Sequence, residues 1–303
     1  MQTESLARAI NRQQWLKPVE DGLKKGLDQA FAADTERGKP IENALHGVWL
    51  GHALHPVLTD IPLGAWTVAF ALDLAETCGA RRYGPGADAA LNIGLVGALG
   101  AAATGITDWK EISVEARRVG LVHGVLNTIA AGLYLTSSIQ RARGKRQAGR
   151  VTALAGFAVA GVSAWLGGHL VYANQIGVAR TSETTPPADF VPVIRLDELE
   201  EAKPRRVEHE GYPLVLVKKG DRIYALAEKC THLGGPMSEG ELDGDCLRCP
   251  WHGSAFSLED GSVKESPATA PLAVFDARVR QGSVEVRVSR SLGADTGPAG
   301  LQK

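Results

Sequence analysis

Four long apolar stretches, at about residues 57–77, 87–107, 119–139 and 151–172, limit what this chain can fold into more than any other feature. Each is close to the roughly 20 residues an α-helix needs to cross a hydrocarbon core about 30 Å thick. Short polar hinges separate them at 79–86, 108–118 and 141–150, where Pro85-Gly86 and Arg143-Gly144-Lys145 break helices and hold charge in water. A soluble bundle would need a charged face on every helix, and the second and fourth stretches have almost none. The expectation is a four-helix transmembrane bundle within residues 46–177, whose first span is the weakest because it carries Asp60, Asp73 and Glu76. Small residues recur at helical spacing, as in Gly94, Gly97, Ala101 and Gly105, then Gly156, Ala160 and Ala164. They suit close helix–helix approach where lipid gives no hydrophobic drive to association.

The flanks read differently. Val19, Leu23, Leu27 and Phe31 fall four apart, which predicts an amphipathic helix within residues 1–45. Such a helix lies on the membrane surface or packs against a soluble domain, and packing is the preferred reading. The N-terminus has no basic segment followed by an apolar core, so no signal peptide is expected. Residues 178–189, with Pro186-Pro187, read as a polar linker stiffened by proline; about ten such residues reach roughly 30–35 Å when extended. Residues 291–303 read as a disordered tail. A net charge of −1 gives no sign of a nucleic-acid partner.

Between residues 190 and 290 the periodicity becomes that of strands. Candidates are 213–218 and 222–226 around Gly220-Asp221, 241–249 folding at Asp243-Gly244, 255–258, and 275–280 with 283–288 across Gln281-Gly282. Short strands joined by Gly/Asp turns predict an antiparallel all-β domain.

Two loops in this β region carry the chemistry. One reads Cys230-Thr-His232-Leu-Gly-Gly-Pro236, the other Cys249-Pro-Trp-His252-Gly-Ser254. Each offers one thiolate and one imidazole, and such pairs suit either iron–sulfur or zinc. A structural zinc site would be four-coordinate, and zinc fingers more often group Cys with Cys and His with His. Here the pairs are mixed and sit in loops rich in Gly and Pro.

These two motifs closely resemble those of the Rieske family, over about residues 190–290. The resemblance implies small antiparallel sheets with a two-loop tip that binds a [2Fe–2S] cluster. It implies that Cys230 and Cys249 hold one iron, and His232 and His252 the other. Quinol-oxidising members carry an extra, mutually bonded cysteine in each loop; those positions look like Gly235 and Trp251 here, so that disulfide is absent. Ser254 is placed to hydrogen-bond a cluster sulfur. Phe256 stands where high-potential members commonly have tyrosine, which implies a low to intermediate potential. Ala270-Pro271-Leu272 matches the family's proline loop, so Pro271 would shield the cluster without binding it. Cys246, three residues before Cys249, is expected to be a buried strand cysteine.

The membrane half holds His46, His52, His55, His123 and His169. Four spans put all five, with Asp60 and Asp108, on the side of the soluble domain. Gly51-His-Ala-Leu-His-Pro56 followed by Asp60-Ile-Pro62 resembles a family of four-span bacterial membrane proteins without a defined activity. Ionisable residues in spans are functional candidates by default, and two readings stay open. His52, His55, His123 and His169, with Asp108, form a second site for a haem or a metal ion; or the histidines bond to Asp60, Asp108 and backbone carbonyls at the interface.

The functional expectation is an integral protein of a bacterial inner membrane with its Rieske domain in the cytoplasm. It would pass single electrons between the cluster and a redox partner protein or quinone, with no catalytic residue of its own. Two alternatives are an oxidoreductase whose bundle binds quinone, haem or metal, and an iron–sulfur redox sensor.

Overall fold

A computed structural model describes residues 3–31, 38–112, 114–178 and 186–288. Most of the expected linker and all of the expected tail at 291–303 lie outside the described residues. The chain divides into two units, residues 1–46 with 53–176, and residues 47–52 with 177–303.

The first unit is helical. Helices α1 (Thr3–Asn11), α2 (Lys17–Phe31) and α3 (Gly38–His46) precede four long ones: α4 (Leu54–Thr77), α5 (Gly84–Trp109), α6 (Val114–Ala142) and α7 (Arg146–Tyr172). All four are long and apolar enough to cross a membrane. Val96 and Leu99 on α5 are 71% and 74% exposed, a placement that suits lipid and not water. The amphipathic stripe expected near the N-terminus falls on α2, but Val19 is half exposed while Glu20 is buried. The reason is electrostatic: Arg118 Nε on α6 donates to Glu20 Oε1 at 2.7 Å. Buried Lys110 pairs likewise with Glu42 of α3 and with Glu111.

The bundle is a duplicated helical hairpin. Asp73 of α4 pairs with Arg141 of α6, 68 residues on, and the same interval relates Trp66 to Tyr134 and His55 to His123. Trp66 stacks on Tyr134 with centroids 4.1 Å apart. Residues at equivalent positions that touch each other lie at the axis relating the two halves. Glycines make room for both aromatics: a Cβ on Gly94 would sit 2.2 Å from Trp66, and one on Gly156 3.2 Å from Tyr134. At this end of the bundle the three acids of the first hairpin are matched by three arginines. Arg141 reaches Asp73 and Asp88, Arg146 reaches Glu76 and Asp88, and Arg150 lies 3.7 Å from Glu76. Two of the three charges that made the first span look weak, Asp73 and Glu76, are thus paired inside the bundle, while Asp60 is exposed.

The second unit is all-β. One antiparallel sheet has the order β1-β10-β9-β4-β3-β2, from β1 (Val191–Arg195), β2 (Arg205–His209), β3 (Tyr212–Lys219), β4 (Arg222–Ala227), β9 (Val274–Arg280) and β10 (Ser283–Val288). The other has the order β5-β6-β7-β8, from β5 (Glu241–Asp243), β6 (Cys246–Arg248), β7 (Ala255–Ser257) and β8 (Val263–Glu265). Leu214, Val215, Leu216 and Val217 are all fully buried, so β3 is covered on both faces and reads as a continuous apolar run. Its core includes Leu226, Met237, Leu247, Phe256 and Leu272. The turn between β9 and β10 has Gln281 and Gly282 both at positive φ, the conformation that two-residue hairpins favour. Strands β1, β2 and β8 were not expected: β2 is a charged edge strand, as edges exposed to pairing tend to be.

Candidate metal centre

The two motif loops are built alike. In the first, Cys230 N–H donates to the Gly235 carbonyl at 2.9 Å and Gly234 N–H to the Cys230 carbonyl at 2.8 Å. In the second, Cys249 N–H donates to the Ser254 carbonyl at 2.8 Å and Gly253 N–H to the Cys249 carbonyl at 3.1 Å. Gly234 and Gly253 have φ of 79° and 77°, a turn that an L side chain resists. Each cysteine therefore opens a tight loop closed by a left-handed glycine, and the histidine rides on its crest.

The loops bring all four predicted ligands to one tip. Cys230 and Cys249 are buried, 2% and 3% exposed, and their sulfurs lie within hydrogen-bond reach of each other. His232 and His252 are half-buried, with ring centroids 5.0 Å apart and planes at 87°. The hydrogen bond from Cys230 and the N–H groups of Trp251 and His252 hold the Cys249 thiol down at about 7, against burial. Cys230 is pushed up by that same bond and by burial, against the His232 N–H and the Ser254 hydroxyl. These donors aim at sulfur, where thiolates or bridging sulfides would need them.

The arrangement fits a [2Fe–2S] cluster. Thiols stand as one pair and imidazoles as another, as a two-iron centre with unlike ends requires. Among the described residues no three His, Cys, Asp or Glu side chains gather around one point, as a mononuclear site would need. Space at the sulfurs is tight on one side, since a Cβ on Gly235 would sit 2.8 Å from Cys249 Sγ. The same Cβ would be 3.2 Å from the Trp251 ring. Gly235 and Trp251 therefore face each other, and no cysteine pair stands there.

Ser254 is fully buried; it reaches the Cys230 sulfur and accepts from Ala268 N–H at 3.0 Å. Pro271 is exposed, and its loop is tied to the first motif by the Thr231 hydroxyl, which donates to the Ala270 carbonyl at 2.7 Å. Phe256 is fully buried. Cys246 lies on β6 as expected, but half-buried, with its thiol pushed up by that burial. Two supporting residues escaped sequence reading. Arg248 donates to the Gly253 carbonyl, Glu265 and Asp243 at 2.8–2.9 Å, pinning the second loop to strands on both sides. Buried Glu228 receives the Ser238 hydroxyl and N–H behind the first loop; burial pushes its carboxyl up, against those bonds. Their signal was charge inside an apolar strand pattern.

In the membrane half, His46, His55, His123 and His169 each have a bonded or stacked partner, and His55 and His123 lie within electrostatic reach of each other. His46 Nδ1 lies 2.8 Å from Asp108 Oδ1. His55 Nδ1 donates to the Ala101 carbonyl at 2.9 Å and His123 Nδ1 to the Ser163 carbonyl at 2.8 Å. These are equivalent bonds within the two hairpins, and each ring lies against a helical glycine, Gly105 or Gly167. His123 Nε2 accepts from Asn127 at 3.1 Å. His169 stacks on Trp165. His52 groups with the second unit.

The Rieske [2Fe-2S] domain family matches residues 189–276, and the predicted membrane protein family DUF2231 matches residues 51–180. Ferredoxin CarAc of Metapseudomonas resinovorans is 46% identical over 83 residues, 27% of this chain and 78% of that protein. The anthranilate 1,2-dioxygenase ferredoxin subunit of Burkholderia cepacia is 31% identical over 101 residues, 33% of this chain and 94% of its own. Among solved structures, the complex of reduced oxygenase and oxidized ferredoxin in carbazole 1,9a-dioxygenase matches at 39% identity and TM-score 0.31, covering 32% of this chain and 92% of that one. The chain thus belongs to the Rieske [2Fe–2S] ferredoxin family through its β domain, fused to a membrane domain of the DUF2231 family.

Proposed function

We propose that this protein is a membrane-anchored electron carrier. The observation that carries the reading is the polarity of the tip: two buried sulfurs below, two half-exposed imidazoles above. Cys230, Cys249, His232 and His252 would hold the cluster, which supplies reversible one-electron transfer when bound. The chain's own residues set the rest. Ser254 and the loop N–H groups face the sulfurs, the proline loop at Pro271 limits water, and the half-exposed imidazoles form the surface at which a redox partner docks. The ferredoxin relatives support a partner that is itself an oxidoreductase protein.

The bundle within residues 46–177 would anchor the carrier in a bacterial inner membrane, with residues 178–189 as a tether for the 190–290 domain. We place that domain in the cytoplasm. The bonds of His46, His55 and His123 favour staples between helices over a haem or metal site drawn from His52, His55, His123, His169 and Asp108.

Two experiments test this. Redox titration of the purified full chain, followed by electron paramagnetic resonance, should give a one-electron Nernst curve; a signal without reversible reduction would sink the carrier role. A fluorescent-protein fusion at the C-terminus should fluoresce in cells, whereas activity of an alkaline-phosphatase fusion instead would reverse the orientation.

A further inference from the structure

The far end of the bundle from the histidines holds a cavity of about 270 Å³ between α4, α6 and α7. Its walls are mainly apolar, with Ala69, Phe70 and Leu154 among them, and its polar contributions come from Asp73, which is held by Arg141, and from Thr77, Gln147, Arg150 and Tyr134. Ala69 to Thr77 is two turns of α4, so the cavity runs roughly 12 Å inward from the helix end. Leu74, Val151 and Leu154 at its rim are more than half exposed, so it opens sideways, toward the lipid phase.

Tyr134 marks this cavity as more than a packing gap. It is 1% exposed, and its hydroxyl has no hydrogen-bond partner. Its ring is held against Trp66, so the hydroxyl cannot swing out to find one. A buried donor in that state is rare and calls for an acceptor. At the other end of the cavity, Gln147 and Arg150 offer further donors at the level of the helix ends.

Charge decides the class of ligand. The arginines here, Arg141, Arg146 and Arg150, are matched by Asp73, Glu76 and Asp88. The lining itself carries one acid, Asp73, and one base, Arg150, so an anionic phosphate head would find no net positive charge in the cavity wall, whereas a neutral acceptor needs none. We propose that the cavity binds the head of a membrane quinone: a flat neutral ring with one carbonyl oxygen on the Tyr134 hydroxyl, the opposite carbonyl toward Gln147 and Arg150, and its tail leaving past Leu154. The site is separate from the cluster tip, and it stands or falls without affecting the carrier reading.

The test uses the full chain in detergent and a decyl-tailed 1,4-benzoquinone, measured by equilibrium dialysis. Saturable binding near one per chain is expected. Tyr134→Phe keeps the ring stack and should weaken binding about tenfold, the worth of one hydrogen bond to a buried donor. Leu154→Trp, at an exposed position, should block the mouth. Detergent melting of the helical bundle, unchanged from wild type, shows that each variant is folded. Absent or non-saturable binding, or equal affinity of wild type and Tyr134→Phe, overturns the proposal. So does one-for-one displacement by phosphatidylglycerol, which would make the occupant a phospholipid.

Discussion

Replacing Ser254 by alanine should lower the potential of the cluster without removing it. The hydroxyl is fully buried, reaches the Cys230 sulfur and accepts from Ala268 N–H. Reduction adds negative charge around the sulfurs, so a hydrogen bond of ordinary strength becomes a charge-assisted one. The two classes are worth about 0.5–1.5 and 1.5–3 kcal/mol, a difference of about 1–1.5 kcal/mol. At 59 mV per factor of ten for one electron, that is about 40–65 mV downward. The orphaned Ala268 N–H should separately cost about 1–3 kcal/mol of domain stability. Ser254→Thr keeps the hydroxyl and should keep most of the potential. The assay is a redox titration of wild type and both variants at one pH. A shift under about 10 mV in Ser254→Ala, or a rise, would refute the reasoning, because the hydroxyl would then not distinguish the oxidation states.

Other substitutions probe other parts. Gly235→Ala drives a methyl to 2.8 Å from Cys249 Sγ; such overpacking costs about 1–3 kcal/mol, and iron content should fall while far-ultraviolet circular dichroism stays that of a β domain. Arg141→Leu leaves Asp73 buried and unpaired, a loss of about 3–5 kcal/mol, and Asp73→Leu in the same chain should restore much of it; detergent melting of the bundle reads both, and equal melting of the single and double variants would contradict the pairing. The Asp260 carboxyl is held down at about 2 by the hydroxyl and N–H of Ser262. Its folded-state value lies below the unfolded one, so its contribution is present above about pH 4 and lost as pH falls toward 2. Asp260→Asn should flatten that acid limb of a denaturation curve, and an unchanged limb would count against the turn.

Much of this architecture is legible in the residues, and the limits are physical. Spans and hinges follow from hydropathy, because a helix in lipid must be long and apolar whatever it packs against. The cluster ligands are legible because Cys230, His232, Cys249 and His252 sit in loops whose shape their own glycines enforce. The hairpin duplication is harder to see: few residues are identical across the interval that relates His55 to His123, and Asp73 answers Arg141 with opposite charge. Burial of Glu20 is invisible to a pattern of apolar positions, since its partner Arg118 lies 98 residues on. Tyr134 reads as one more aromatic in a span until the walls around its hydroxyl are known.

Pulsed electron paramagnetic resonance on the reduced full chain, with elemental analysis of the same sample, tests the central claim most directly. The account predicts two irons per chain, no haem absorption, and hyperfine coupling from two imidazole nitrogens, with one coupling lost in His252→Cys. Zinc in place of iron, or a cluster signal without nitrogen coupling, would contradict it.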